Sequence, residues 1–333
     1  MKNDLYIRIK IIVLVFLVSV SYSSFCITSA VTYTFSGGRL GDNLLSYCHA
    51  KWISYTYNIP LLYKPFGYSD QLVLDLVEIP YSDALEAQFE TVITYSIDTQ
   101  IDTKNGCLYV VPFFPESIFN RYDKDCPYLF TVDWEDQTFK SLLQAMIAPI
   151  NPAPNALLWD ESITVAVHVR KGTGWDIPNY RITPEALTAS HPLRFAPDSF
   201  YIEQLRKIVG LFPGRKIYVY LFTDHDNPGE LADKYAQVVA CDRMTIDYRR
   251  SENNEFINVL DDFFALQKFD CLIRADSNFS FIASKLGNYK VQMSPWHGYV
   301  TQQGTLIDEV QLIIENQSFV VKEQASIKTS DKI

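Results

Sequence analysis

His168 and Arg170 end an otherwise apolar run, Ile163-Thr-Val-Ala-Val-His168-Val-Arg170-Lys-Gly172. With the period of two of an extended chain, Ile163, Val165, Val167 and Val169 share one face, and Thr164, Ala166, His168 and Arg170 the other. Apolar residues on both faces predict a central strand of a parallel sheet covered on each side. The two basic residues then stand together at its carboxyl end, where open α/β sheets bind their ligands. A histidine and an arginine aimed there suit an anion, above all a phosphate. Taken singly, the arginine reads equally well as a strand-end partner for a carboxylate. Two more strand ends carry polar residues: Thr223/Asp224, and Asp276-Ser277-Asn278. Ser277 or Asn278 opens a helix whose unpaired N–H groups and positive dipole end attract an anion, and Ser280 adds a hydroxyl one turn in. One serine before one helix is by itself an ordinary N-cap. Asp224 suits the hydroxyls of a ribose or the edge of a base. The three ends together predict a phosphate end and a nucleoside end along one sheet edge.

The elements that position these residues alternate. From Ile163 onward the pattern predicts strands at 216–223, 237–241, 270–274 and 289–293. Helices are predicted from Ser199 (capped by Asp198) to Gly210, after Asn227-Pro228-Gly229, over 254–268, over 279–286 (stopped by Gly287), and from Thr305 to about Glu315. Such alternation means a doubly wound parallel sheet. The first half opens with a strand, Ala30 to Phe35, then Ser36-Gly37-Gly38-Arg39-Leu40-Gly41-Asp42-Asn43. A helix follows with Leu44, Leu45, Cys48, Trp52 and Tyr55 on one face and Asp42 or Asn43 as cap. This strand–glycine loop–helix unit is like a dinucleotide fingerprint with serine for its first glycine, and tight-turn glycines explain it equally well. A strand over 107–112 and a helix over 134–147 follow. Three prolines within 148–155 mark an interdomain linker. The domains expected are 31–150 and 151–320, with a polar tail over 321–333.

Lys2, Arg8 and Lys10 precede the apolar run Ile11–Val20, and small residues follow to Ala30. That order predicts a secretory signal over 1–30, and an extension of the run from Ile9 to Phe25 leaves an uncleaved anchor as the alternative. The expected location is the secretory pathway or beyond it, with membrane attachment if the anchor stays. The chain of 333 residues is 48% hydrophobic and carries a net charge of −10. That composition supplies real cores and argues against nucleic-acid binding. Six cysteines show no metal or redox spacing, and five remain without the leader; Cys48 and Cys271 read as buried small hydrophobes. The histidines show no metal spacing either, and Asp224-His225-Asp226 before Asn-Pro-Gly reads as a polar turn. Asp261 and Asp262 read as a solvated helix face. The stretch Lys171–Pro197 is too long for a simple connection and is the candidate acceptor-side lid.

Four segments carry a family resemblance. His168-Val-Arg170-Lys-Gly172 resembles the H-x-R-x-G motif of the GT-B fucosyltransferases, a group spanning α-1,2-, α-1,6- and protein O-fucosyltransferases. Gly38-Arg39-Leu40-Gly41-Asp42-Asn43 is similar to their G-R-[LF]-G-N segment, Phe222-Thr223-Asp224 to their F-[ST]-D, and Ser277-Asn278-Phe279-Ser280-Phe281 to their S-N-x-S-F. The order is kept, over most of residues 31 to 295. The resemblance implies an α/β, GT-B-like fold: two Rossmann-like domains with doubly wound parallel sheets facing a cleft, the N-terminal one on the acceptor side. It implies GDP-fucose as donor, a glycan or glycoprotein acceptor, inversion, no cofactor and no metal. By the same carry-over Arg170 meets the β-phosphate, His168 and Asp224 lie near guanine or ribose, and Ser277, Asn278, Ser280 and Phe281 line the phosphates. Gly38, Arg39, Gly41, Asn43 and Gly172 complete the nucleotide-binding set. The chain departs from the pattern in two places: Asp42 stands where the family has Asn, and Thr173-Gly174-Trp175 separate the motif glycine from Asp176, the candidate base. The donor sugar and the base therefore stay open. The rivals are a GT-B enzyme of another nucleotide sugar and a non-catalytic nucleotide- or glycan-binding protein. A glycoside hydrolase needs two carboxylates flanking a sugar, and none pair convincingly here.

Overall fold

Two compact units, Met1–Pro152 and Ala153–Ile333, make up the chain. The computed structural model describes residues 29–96, 98–112, 132–152, 161–171, 192–250, 257–301 and 304–323. Most of the leader, Cys126, Gly172, Asp176, most of the 171–197 stretch and the tail past 323 lie outside them.

The first unit contains β1 (Ala30–Tyr33), α1 (Leu40–Tyr57), β2 (Leu62–Tyr63), α2 (Val73–Val77), β3 (Ile79–Pro80), α3 (Asp83–Glu86), β4 (Thr91–Thr94), β5 (Cys107–Val111) and α4 (Gln137–Met146). β1, β5 and β4 form a parallel sheet in that order, and β2 pairs β3 in parallel. Leu61, just before β2, makes a parallel bridge to Val31, so the strands succeed one another as β3-β2-β1-β5-β4. The β3-β2-β1 half has the order of a mononucleotide-binding unit. β1 is buried along its whole length, as the apolar Ala-Val-Thr-Tyr run requires of a central strand. α1 begins earlier than its cap residues predict. Arg39 is the N-cap, so Asp42 and Asn43 lie inside the first turns. Its middle is buried on every side, with His49 and Ala50 as enclosed as Leu44 and Cys48. At α4 the Asp136 carboxylate accepts from the N–H groups of Thr138 and Phe139, a full side-chain cap.

The second unit contains β6 (Ile163–Val169), α5 (Asp198–Leu211), β7 (Ile217–Thr223), α6 (Pro228–Val239), β8 (Met244–Tyr248), α7 (Val259–Leu266), β9 (Cys271–Arg274), α8 (Asn278–Leu286), β10 (Val291–Thr301), β11 (Gly304–Ile314) and β12 (Gln317–Lys322). Its seven-stranded sheet has the order β12-β11-β10-β9-β6-β7-β8. The strands from β8 to β10 are parallel. Counted from β6 they run 3-2-1-4-5, the order of the doubly wound nucleotide-binding sheet. Val165, Val167 and Val169 share a core with Phe200, Tyr201 and Leu205 of α5 and Leu231 and Tyr235 of α6. On the opposite face His168 packs at a tilt against Phe279 of α8, and Phe279 meets Phe263 of α7 edge to face. Both faces are covered, and β6 is buried at all seven positions.

Several expectations fail here. The segment expected as a final helix, Thr305 to Glu315, is β11, antiparallel to β10 and β12. Leu306, Ile307, Val310 and Ile313 mimic a helical stripe, but Val310, Leu312 and Ile314 also alternate, and pairing to β10 decides between the periods. The strand expected over 237–241 is largely the end of α6: Leu231, Ala232 and Tyr235 bury a helical face, and the β-branched pair Val238-Val239 follows it round. Asp198 is the first residue of α5 rather than its cap, which is Pro197. The helix expected from 254 starts at Val259, and the strand expected to end at Met293 runs on to Thr301. β12 reaches Lys322, inside the stretch expected as polar tail. Among the described residues the cysteines Cys48, Cys107, Cys241 and Cys271 are free thiols, and burial pushes Cys271 up to about 12. No helix of the described residues is long and apolar enough to cross a membrane.

Candidate functional site

The order of the second sheet reverses between β6 and β9. A strand followed by neighbours on opposite sides leaves a crevice at its carboxyl end, because successive connections depart in opposite directions. His168 and Arg170 stand at that end of β6, and Arg274, Asp276 and Ser277 at that end of β9. Register makes His168 and Arg274 direct cross-strand partners. The loop is stitched to the strand by the Ala275 N–H, which donates to the His168 carbonyl at 3.1 Å.

Arg170 is held on two sides. Its guanidinium lies over the Phe195 ring at 5.7 Å, and its Nε is 3.9 Å from Asp224 Oδ2. The other Asp224 oxygen accepts the Lys171 N–H at 2.8 Å. Asp224 thus fixes the backbone immediately after the arginine and balances its charge, so the expected ribose or base acceptor stands as a buttress to Arg170. Lys171 reaches Asp198, which also accepts from Lys234 Nζ at 2.7 Å and the Tyr235 hydroxyl at 2.8 Å. Burial alone raises the Asp198 carboxyl, but hydrogen bonds from Lys171, Lys234 and Tyr235 outweigh it and bring it to about 2. With the side chain only 9% exposed, Arg170 is a nearly dry cation, where charge interactions are strongest.

At the β9 end, α8 starts at Asn278 with Ser277 as cap residue, and the Ser277 side chain makes no capping bond. The first helical N–H groups therefore face the crevice without that serine bonded to them. Ser280 departs from expectation: its hydroxyl is wholly buried and turns back toward the Ser277 carbonyl at 3.3 Å, so it braces the loop. Phe281 is flanked by cations, with the Arg274 guanidinium 5.4 Å and Lys285 Nζ 5.5 Å from its ring centre. Arg274 joins the candidate residues only through the fold. It is buried beside His168, with one guanidinium nitrogen 3.2 Å from the Ala275 carbonyl. The signal is in the sequence: Cys271-Leu-Ile-Arg274 ends an apolar strand on a charge, as Arg170 directly follows β6.

Asp224-His225-Asp226 forms a turn knit by its own groups. The His225 N–H donates to Thr223 Oγ1, and His225 Nδ1 accepts the Asn227 N–H. Among the described residues no three His, Cys, Asp or Glu side chains gather to hold a metal ion. Asp262 is tied to Arg249, so one of the two acidic residues expected on a solvated face is partly enclosed. In the first unit, Gly38, Arg39, Gly41 and Asn43 lie where β1 gives way to α1. The Gly38 N–H donates to Ser36 Oγ at 2.9 Å, and a Cβ at Gly38 would meet Asp42 Oδ2 at 2.0 Å. The candidate residues therefore form two groups, each at the carboxyl edge of its own unit's sheet.

The chain is similar in structure to fucosyltransferases. A mutant of FUT1 from Arabidopsis thaliana in complex with GDP aligns at 14% identity over 83% of this chain and 72% of that one, with a TM-score of 0.49. NodZ alpha-1,6-fucosyltransferase co-crystallized with GDP aligns at 13% identity over 87% and 99%, with a TM-score of 0.42. A selenomethionine form of the fucosyltransferase NodZ from Bradyrhizobium gives 15%, 87% and 99%, with a TM-score of 0.37. No protein-family model and no curated protein matches the chain.

Proposed function

We propose that this protein is an inverting glycosyltransferase that moves fucose from GDP-fucose to a hydroxyl of a glycan or glycoprotein. One observation carries the reading: a nearly buried arginine, held by Asp224, stands at the switch point of a 3-2-1-4-5 sheet within an H-x-R-x-G motif. Transfer joins the acceptor oxygen to the anomeric carbon as the carbon–oxygen bond to the β-phosphate breaks. The departing GDP takes the electron pair, and the acceptor proton goes to a base, for which Asp176 is the candidate. Negative charge grows on the diphosphate as the bond lengthens. A fixed guanidinium and the N–H groups at the start of α8 stabilise that charge most where it develops, with no reorganisation needed. Arg274 adds a second buried cation on the neighbouring strand. The N-terminal segment would place the enzyme in the secretory pathway, alongside its acceptors.

The test is a thermal-shift comparison of nucleotides followed by a turnover assay. GDP should stabilise the protein more than ADP, UDP or CMP, adding about 2.7 kcal/mol to the unliganded protein at a hundredfold excess over its dissociation constant. GDP release from GDP-fucose should then require an acceptor. Equal shifts from all four nucleotides overturn the donor assignment. GDP binding without turnover on any glycan acceptor makes the protein a binder.

A further inference from the structure

We propose that β12 is a self-pairing edge, through which two copies of this chain join their second-unit sheets into one continuous antiparallel sheet. The switch point needs only β8 to β10, yet the sheet continues through β11 to β12, its last strand among the described residues. β12 is little covered: Phe319 is 47% and Val320 48% exposed. An apolar strand at a sheet edge is a template for another strand, and proteins that must stay apart guard such edges with charge, proline or bulges. Gln317-Ser-Phe-Val-Val-Lys322 has no proline and one charge, at its end.

The turn before β12 fixes which of its groups face outward. Glu315 and Asn316 both have positive φ, 48° and 67°, as a two-residue type I′ hairpin requires. Ile314 and Gln317 are the closing pair, so Gln317, Phe319 and Val321 turn their N–H and C=O groups toward β11. Ser318, Val320 and Lys322 turn theirs away from it. A twofold axis through Val320, normal to the sheet, sets Val320 against Val320 and Ser318 against Lys322 of the second copy. All three outward residues are used, for about six backbone hydrogen bonds. Phe319 then faces Val321 of the other copy, on the face where Leu312 and Val310 already carry the core outward. No like charges oppose each other in this register. A seam this short is well below the roughly 1,600 Å² of a stable complex, so the dimer depends on concentration.

Sedimentation velocity on the full chain over a dilution series tests this, with circular dichroism to check folding. Val320→Pro removes one outward N–H and leaves the bonds to β11 intact, and Val320→Lys sets two ammonium groups across the axis. Wild type should pass from monomer to dimer with concentration, and both variants should stay monomeric. Val238→Lys, an exposed valine on α6, should behave as wild type. A wild type monomeric throughout overturns the proposal, as does a dimer that survives in Val320→Lys or in a folded Val320→Pro. The outcome does not depend on the catalytic reading.

Discussion

Arg170 is the residue on which the proposed chemistry turns, and its surroundings show how a charge is kept ready in a nearly dry place. Phe195 supplies a flat wall, Asp224 a counter-charge at 3.9 Å, and the Lys171 N–H ties that carboxylate to the next peptide. A lysine keeps the sign but not the planar fork, so Arg170→Lys should lose ~10²–10³ in turnover, with GDP affinity falling less. Turnover and GDP binding measured on a variant of unchanged melting temperature decide this, and near-wild-type turnover makes Arg170 structural. Asp198 bears the other half of the support. Its carboxyl lies at about 2 in the folded protein against an ordinary 3.8, so it binds protons less readily folded than unfolded. Its stabilising effect is full above the ordinary value and is lost as pH falls through about 2. The melting-temperature gap between wild type and Asp198→Asn should thus be widest near neutrality and close between about pH 4 and pH 2. A gap constant with pH would mean that Asp198 acts through packing alone.

Elements with one dominant period were legible, and those with two were not. β6 was clear because its valines alternate without a helical competitor, and its polar residues end it in a recognisable pair. β11 reads as a helix because its apolar residues satisfy both periods, and only its partners β10 and β12 favour extension. α6 hid its end for a similar reason, since a β-branched pair closes a helix whose buried face is set three to eight residues earlier. Arg274 went unassigned because its meaning lies in register: it matters through His168 across the ladder, 106 residues earlier in the chain. At the far end of α8, Gly287 was expected to stop the helix, and its reason is space. A Cβ there would come 2.4 Å from the Tyr289 ring, which is buried and donates its hydroxyl to the Leu266 carbonyl at 2.8 Å. That ring cannot swing away without losing its bond. Gly287→Ala should cost about 1–3 kcal/mol in urea unfolding, and an unchanged midpoint would show that the α8–β10 corner yields freely.

At the scale of the molecule, two units built on related parallel plans differ in how far their chains must reach. In the first, β1 has its neighbours by Leu61 and Val111. In the second, β6 sits between β7 and β9, and Thr164 is held by Asp270, 106 residues later. The alternation revealed the parallel plan, while the antiparallel strands that extend the second sheet became visible only through pairing. The central place of β6 has a consequence during synthesis. A ribosome delivers the chain from its amino end, so 163–170 emerges long before the residues that will flank it on the β9 side. The first unit can close while translation continues, but Val165 and Ala166 must wait, apolar on both faces, until Cys271 and Leu272 have been made. A chain released early, before Cys271, would carry an arginine motif and no site, with a sticky strand exposed beside it. The nascent second unit thus carries an unpaired edge on β6 for about a hundred residues of synthesis.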